Sequence, residues 1–213
     1  MQGMPRLTSP ARFFAALPDA LTALYFLSLW LFPLLFGPHA VRNGMLLMLV
    51  EFILLHASIF LGTTAFSATL SRTTRVRRMA GFALLYGLFV AAWAFAFEAW
   101  WPLLAFAWLL GTKFSAVFGR GIDNARRLQR LTSAWVIGVL AYIGCLLATV
   151  VLPVPRLGIT AAVQAQLGLP GSGLWVEQPQ KVIAFGLLYF GTIAWLKWKD
   201  WTLPAAAPEP PPG

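Results

Sequence analysis

The stretch MLLMLVEFILLHASIFLGTTAF at residues 45–66 decides the fold, because it is an apolar run long enough to cross a bilayer. A helix rises 1.5 Å per residue, so roughly 20 apolar residues span the roughly 30 Å of hydrocarbon. The run is apolar on nearly every side and lacks the alternation of apolar and polar residues that a membrane β-strand shows. The sequence therefore predicts a transmembrane helix at this position.

The composition of the whole chain agrees with a membrane environment. The chain has 213 residues, of which 59% are hydrophobic and 11% are charged. Soluble domains carry about 25% charged residues, so this chain has too little polar surface to cover a water-soluble core. Disordered chains have low hydrophobicity, which excludes that class as well. An integral membrane protein is the class that remains.

Five more apolar runs accompany the first one, and together they predict an all-α, polytopic bundle of six spanning helices. The third and fourth runs are separated by a tight hairpin around Glu98 and Pro102. The six-helix domain is predicted over residues 20–202, after an N-terminal segment 1–19 and before a disordered, Pro-rich tail 203–213. A long outer loop, 153–180, holds enough apolar residues to form structure of its own. The predicted spans are 20–36, 45–66, 79–97, 99–117, 134–152 and 181–198.

The basic residues are distributed unevenly between the two sides of this bundle. With six spans, all but three of the 16 Lys and Arg residues lie at the termini and in the second and fourth loops. The three exceptions are Arg42, Arg156 and Lys181. Because cytoplasmic loops carry the excess of basic residues, both termini are predicted to be cytoplasmic, and the expected location is a bacterial inner membrane.

The basic loops allow two interpretations. Membrane insertion alone accounts for such a bias, and nucleic-acid binding is not supported. The same residues would also attract anionic lipid headgroups on the cytoplasmic side, at about 1 kcal/mol for each basic residue near the surface. The candidates for this lipid contact are Arg75, Arg77, Arg78, Arg126, Arg127 and Arg130.

Two ionisable residues, Glu51 and His56, lie inside the second predicted span. A charged side chain at the centre of a span costs roughly 2.5 to 3.5 kcal/mol on insertion scales, so each needs a reason. A five-residue step turns a helix by about 500°, which leaves the two side chains on different stripes. Glu51 shares its stripe with Ser58 and Gly62, and His56 shares its stripe with Thr63. Two polar stripes predict that the second helix is the central one.

This candidate intramembrane polar site, completed by Tyr142 at a depth similar to that of His56, has two possible roles. In the functional interpretation, Glu51 and His56 belong to a proton or ion path, since imidazole titrates near neutral pH. In the packing interpretation, both are uncharged and hydrogen-bonded to a Tyr or Ser of a neighbouring helix. Tyrosines 25, 86, 142 and 189 lie in four other spans and could supply these bonds.

The sequence offers little catalytic chemistry. It contains one cysteine, Cys145, and two histidines, which are too few for a metal site within one chain, so no metal and no cofactor are predicted. No recognisable catalytic motif is present. We therefore expect a non-enzymatic accessory, scaffold or assembly component that contacts a membrane protein partner or a second copy of itself. The alternatives are a small proton- or ion-linked transporter or channel using Glu51 and His56, and a membrane-embedded enzyme acting on a lipid.

Overall fold

The computed structural model describes residues 9–118, 124–169 and 171–201, and the regular structure in these residues is entirely helical. Six long helices account for most of it, and two short helices lie between the last two long ones. The helices are α1 (Ser9–Leu31), α2 (Ala40–Phe66), α3 (Arg72–Ala96), α4 (Trp101–Phe118), α5 (Asn124–Val151), α6 (Ala161–Leu167), α7 (Leu174–Glu177) and α8 (Pro179–Trp198).

Four of these helices are long and apolar enough to cross a membrane. They are α1, α2, α3 and the Arg127–Val151 part of α5. This finding indicates an integral membrane protein. The predicted spans 99–117 and 181–198 fall on α4 and α8, helices of 18 and 20 residues, and the count of six spans stays a prediction. The predicted tail 203–213 lies outside the described residues, and the predicted segment 1–19 overlaps them only from Ser9 onward.

The first long helix differs from the first predicted span, 20–36, at both ends. The described part of α1 already begins at Ser9 and continues through Pro18, where the Thr22 hydroxyl donates to the Pro18 carbonyl at 2.8 Å. The helix ends at Leu31 instead of residue 36, because Phe32 precedes Pro33 and a residue before proline disfavours the helical conformation. Pro18 is therefore tolerated inside α1, whereas Pro33 limits the length of the helix.

The helices α3 and α5 start well before the apolar runs that predicted them. Ser71 caps α3, its hydroxyl accepting from the Thr74 amide at 3.2 Å, so the helix begins seven residues ahead of the predicted residue 79. In the same way, α5 begins at Asn124 and not at 134. Consequently, the basic residues of the second predicted loop, and Arg127 and Arg130 of the fourth, lie on the first turns of helices.

Consecutive long helices run in opposite directions. The start of α3 lies beside the end of α2, since Arg75 donates to the Ala65 carbonyl, and the start of α5 also reaches α2 near its end, at Gly62. The start of α8 lies beside the end of α5, where Lys181 donates to the Val150 carbonyl. We call the end of the bundle that holds the starts of α1, α3 and α5 the basic end, and the opposite end, with residues 153–178, the loop end.

Helix α2 is the centre of the bundle, as its two polar stripes predict. It packs against each of the other long helices. On one side its residues join α1, α5 and α8 in a core cluster that contains Phe26, Met48 and Phe185. On the other side they join α3 and α4 in a second cluster around Met79 and Phe106. Half of the residues in the most apolar stretch of α2 are buried, against 17% of those in the corresponding stretch of α3.

The predicted outer loop holds structure of its own. Its first part is attached to the end of α1: the Trp30 indole donates to the Pro155 carbonyl at 2.9 Å, and the Gly158 amide donates to the Trp30 carbonyl at 3.0 Å. Gly158 is required there, because a Cβ atom would overlap the Leu31 carbonyl. Helix α6 then starts at the Thr160 cap and ends at Gly168, whose φ of 53° is left-handed.

Candidate intramembrane polar site

Glu51 of α2 is bound to Tyr189 of α8, and the Tyr189 hydroxyl donates to Glu51 Oε1 at 2.8 Å. Glu51 lies two residues before Ile53, the midpoint of α2, and His56 lies three residues after it. At 1.5 Å per residue these offsets are about 3 Å and about 4.5 Å, so both residues are close to the middle of the helix. The carboxyl group thus joins two helices near the centre of the bundle.

Tyr142 of α5 completes the wall of the site around Tyr189. Its hydroxyl donates to the Met48 carbonyl at 2.8 Å, one turn before Glu51 on α2. Its ring packs edge-on against Tyr189, with centroids 5.4 Å apart, and against Phe185, with centroids 4.7 Å apart. Tyr142 does not bond to His56 in this arrangement, because its hydroxyl reaches the backbone carbonyl of α2 instead.

His56 has its partner on its own helix. Its Nδ1 lies 2.8 Å from the Phe52 carbonyl, and since a carbonyl can only accept, Nδ1 is the donor. The predicted bond to a Tyr or Ser of another helix is therefore wrong. The imidazole packs on the Phe52 ring at 4.3 Å and stands edge-on to Trp135 of α5 at 6.3 Å. Glu51 thus contacts α8 and His56 contacts α5, in agreement with their positions on separate stripes of α2.

The two smaller polar residues of the predicted site have local roles. The Thr63 hydroxyl donates to the Ile59 carbonyl at 2.8 Å, back along its own helix. Ser58 is half-buried, and the small residue one turn later, Gly62, packs against α5. A Cβ atom at Gly62 would overlap the Leu131 side chain. The small residues of this stripe thus allow close helix packing.

Three basic side chains bind the ends of neighbouring helices. Arg75 donates to the Ala65 carbonyl near the end of α2 at 3.1 Å, Arg42 to the Ala96 carbonyl that ends α3 at 3.4 Å, and Lys181 to the Val150 carbonyl near the end of α5 at 2.7 Å. Carbonyls at a helix end lack partners within the helix and carry partial negative charge. This role was not predicted from the sequence.

The candidate lipid-contact residues lie at the basic end. Arg77, Arg78, Arg127 and Arg130 are exposed there. Arg75 is half-buried and already uses part of its guanidinium to bind α2. Arg126 lies on α5, and its side chain falls outside what the structure describes. The contact of these residues with anionic headgroups stays a prediction.

Two cavities lie away from Glu51 and His56. The larger, about 520 Å³, is at the loop end, where Arg156, Gln164 and Glu177 contribute its polar lining. The smaller, about 340 Å³, is an apolar groove along α8 beside Gly191 and Thr192. Neither Glu51 nor His56 lines either of them. Within residues 9–118, 124–169 and 171–201, no three His, Cys, Asp or Glu side chains come together to hold a metal ion.

Comparison of this chain with protein-family models, with curated proteins and with solved structures finds no match.

Proposed function

We propose that this chain is a non-enzymatic accessory or assembly component of a bacterial inner membrane, crossing it six times with both termini in the cytoplasm. The observation that carries the proposal is the hydrogen bond from Tyr189 to Glu51. It uses the carboxyl group of the central helix to join two helices, among the stacked rings of Tyr142 and Phe185. A polar group used in this way stabilises a bundle. Glu51 lines neither of the two cavities described above, which favours packing over a path for solutes.

The directions of the helices support six crossings. Helices α3 and α5 both start at the basic end, next to α2. If both cross the membrane, α4 must carry the chain back between them. Similarly, α5 ends at the loop end and α8 starts there, so α8 returns the chain to the basic end. The excess of basic residues at that end favours a cytoplasmic location for it.

The outer face of α4 is suited to contact with another membrane helix. Leu104 and Trp108 are 72% and 77% exposed, and further along this face lie Gly111, Thr112 and Ser115, all exposed. The two hydroxyl groups donate to carbonyls of α4 itself, so they are satisfied in lipid. Small residues along one face allow close approach of helices, and we therefore propose this face, which we call the α4 face, as the partner surface.

The native size of the protein tests this role. A Cβ atom at Gly111 would meet nothing within 4 Å, and Gly111 is exposed. We therefore expect Gly111→Leu to leave the fold of one chain intact and to add bulk to the α4 face. We expect the wild-type protein, extracted from its membrane in mild detergent, to migrate as an assembly larger than one chain. The Gly111→Leu variant should migrate as a single chain.

Gly144→Leu on α5 is the matched control, because Gly144 also has open space around it and lies on another helix. It should keep the assembly intact. Co-purification of two differently tagged copies identifies a homo-oligomer, and its absence identifies a different partner protein. A wild-type protein that migrates as one chain, or an equal effect of both variants, contradicts the proposal.

Proton flux distinguishes the accessory role from transport. In vesicles reconstituted with the pure protein and given a pH gradient, we expect no flux above that of protein-free vesicles. A flux that disappears in Glu51→Gln and in His56→Ala, with both variants folded, would replace the accessory role by a transport role.

A further inference from the structure

The loop-end cavity is formed by two segments held together by one amide side chain. Gln164 of α6 accepts a hydrogen bond from Arg156 Nη1 at 3.3 Å through its Oε1 atom. Its Nε2 atom donates to the Val176 carbonyl at 3.2 Å and to the Glu177 carbonyl at 2.8 Å. Gln164 therefore holds the segment before α6 and the segment of α7 at a fixed separation.

The cavity is anchored to the bundle on both sides. Residues 155–158 are bonded to Trp30 at the end of α1. On the other side, Trp175 of α7 packs against Phe185 of α8, with ring centroids 6.1 Å apart. A site fixed to helices in this way keeps its shape before a ligand arrives, which lowers the cost of binding. Its volume of about 520 Å³ lies within the range of small-molecule sites.

The polar lining of the cavity carries one charge of each sign. Arg156 and Glu177 both line the cavity, and the Arg156 guanidinium has donors left over after its bond to Gln164. Both residues are exposed, and among the described residues no ion pair engages the Glu177 carboxylate. The other two described basic residues of the loop end, Arg42 and Lys181, are bound to helix ends. Among these three basic residues, Arg156 is the one that lines the loop-end cavity.

We propose that this cavity binds a zwitterion with a phosphate and a primary ammonium group, of the phosphoethanolamine type. Arginine binds phosphate through paired hydrogen bonds, and a carboxylate accepts from an ammonium group. The remaining lining is apolar and includes Ala161, Ala165 and Leu169. Such a lining suits the glycerol backbone and the first acyl carbons of a lipid with this headgroup. Tryptophans favour the membrane interface, and Trp30 and Trp175 on the two sides of the cavity fit a site at that depth.

Lipid retention on the full-length protein tests the proposal. The pure protein in detergent is mixed with phosphatidylethanolamine, phosphatidylglycerol and phosphatidylcholine, and bound lipid is counted by native mass spectrometry. We expect the wild-type protein to retain phosphatidylethanolamine preferentially. Arg156→Gln should weaken its retention roughly tenfold or more, since a bond to a charged group is lost. Glu177→Gln should remove the preference over phosphatidylglycerol, because only the ammonium contact is lost.

Two further variants keep the test decisive. Arg156→Lys retains the charge and should keep part of the binding, which separates the loss of the cation from a collapsed cavity. Glu98→Gln changes a carboxylate at the same end but outside the cavity and should have no effect. Circular dichroism and the melting temperature establish that each variant is folded.

The source of the ligand is resolved by the same variants. If soluble phosphoethanolamine, measured by calorimetry, binds with the same dependence on Arg156 and Glu177, the ligand comes from solution. If binding requires the lipid, the ligand is a headgroup. Equal retention of all three lipids, or retention that neither Arg156→Gln nor Glu177→Gln changes, overturns the proposal.

Discussion

At the scale of single residues, the bond between Tyr189 and Glu51 has an energy that a double-mutant cycle can measure. Hydrogen bonds between membrane helices contribute about 0.6 kcal/mol on average and up to about 1.7 kcal/mol. We expect a coupling energy in this range between Glu51→Leu and Tyr189→Phe, measured by reversible unfolding in mixed micelles. The reason is the 2.8 Å contact, which either substitution removes.

Tyr25→Phe is the control for this cycle. Its hydroxyl donates to the Ala40 carbonyl at 3.3 Å and does not touch Glu51. Its effect should add to that of Glu51→Leu within about 0.5 kcal/mol. Additive effects for Tyr189→Phe as well would show that the carboxyl group and the phenol do not interact in the membrane.

The sequence could predict that Glu51 needs a partner, but it could not select Tyr189. Tyrosine residues lie in four other spans, and which one faces α2 depends on how each helix is rotated about its axis. His56 illustrates the opposite case. The carbonyl four residues earlier is available to any helical side chain of suitable length, so the bond to Phe52 needed no neighbouring helix. A partner for His56 on its own helix could therefore have been predicted from the sequence.

At the scale of helices, Gly186 of α8 sets the distance between α8 and α1. A Cβ atom there would overlap the ring of Phe26, which lies in the core cluster. We expect Gly186→Ala to lower the free energy of unfolding by about 1 to 3 kcal/mol, because overpacking forces the ring or the backbone to move. The measurement is the same unfolding experiment in micelles.

Gly191→Ala lies on the same helix, where a Cβ atom meets nothing within 4 Å. It should be neutral or stabilising by up to about 1 kcal/mol, since alanine favours helix more than glycine does. Gly186→Ala combined with Phe26→Leu should recover part of the lost stability. Equal effects of the two single substitutions would mean that α1 and α8 are not in close contact.

The existence of each long helix could be predicted from its apolar run, whereas most helix ends could not. An apolar run marks only the part of a helix that lies in hydrocarbon. Helices α3 and α5 continue beyond it, with Arg77, Arg78, Arg127 and Arg130 on turns that precede the apolar run. Polar residues do not end a helix when water can solvate them, so their presence gave no reliable boundary. The hairpin at Glu98 was predictable, because one helix of that length would be far too long to span once.

At the scale of the whole molecule, the start of the described part of α1 and the end of α8 lie together at the basic end. Arg12 forms an ion pair with Asp200 at 3.6 Å, and Lys197 forms one with Asp19 at 2.6 Å, so the first half of α1 is tied to the end of α8. Six crossings and four crossings both place the two ends on one side. They differ in the location of residues 153–178, which six crossings of an inner membrane place in the periplasm.

Single cysteines therefore test the proposed topology, once Cys145→Ser has removed the native thiol. We expect Glu98→Cys and Ser172→Cys to react with a membrane-impermeant maleimide in intact cells. Ser9→Cys and Thr73→Cys, at the basic end, should react only after the membrane is opened.

Ser172 is the decisive position. If α1, α2, α3 and α5 were the spans and α4 and α8 did not cross, α5 would return the chain to the cytoplasm and Ser172 would be protected. That arrangement would also place Arg127 and Arg130 on the periplasmic side and make α3 and α5 antiparallel, whereas both start beside the end of α2. Labelling of Ser172→Cys only in opened cells would thus contradict both the six crossings and the packing of α5.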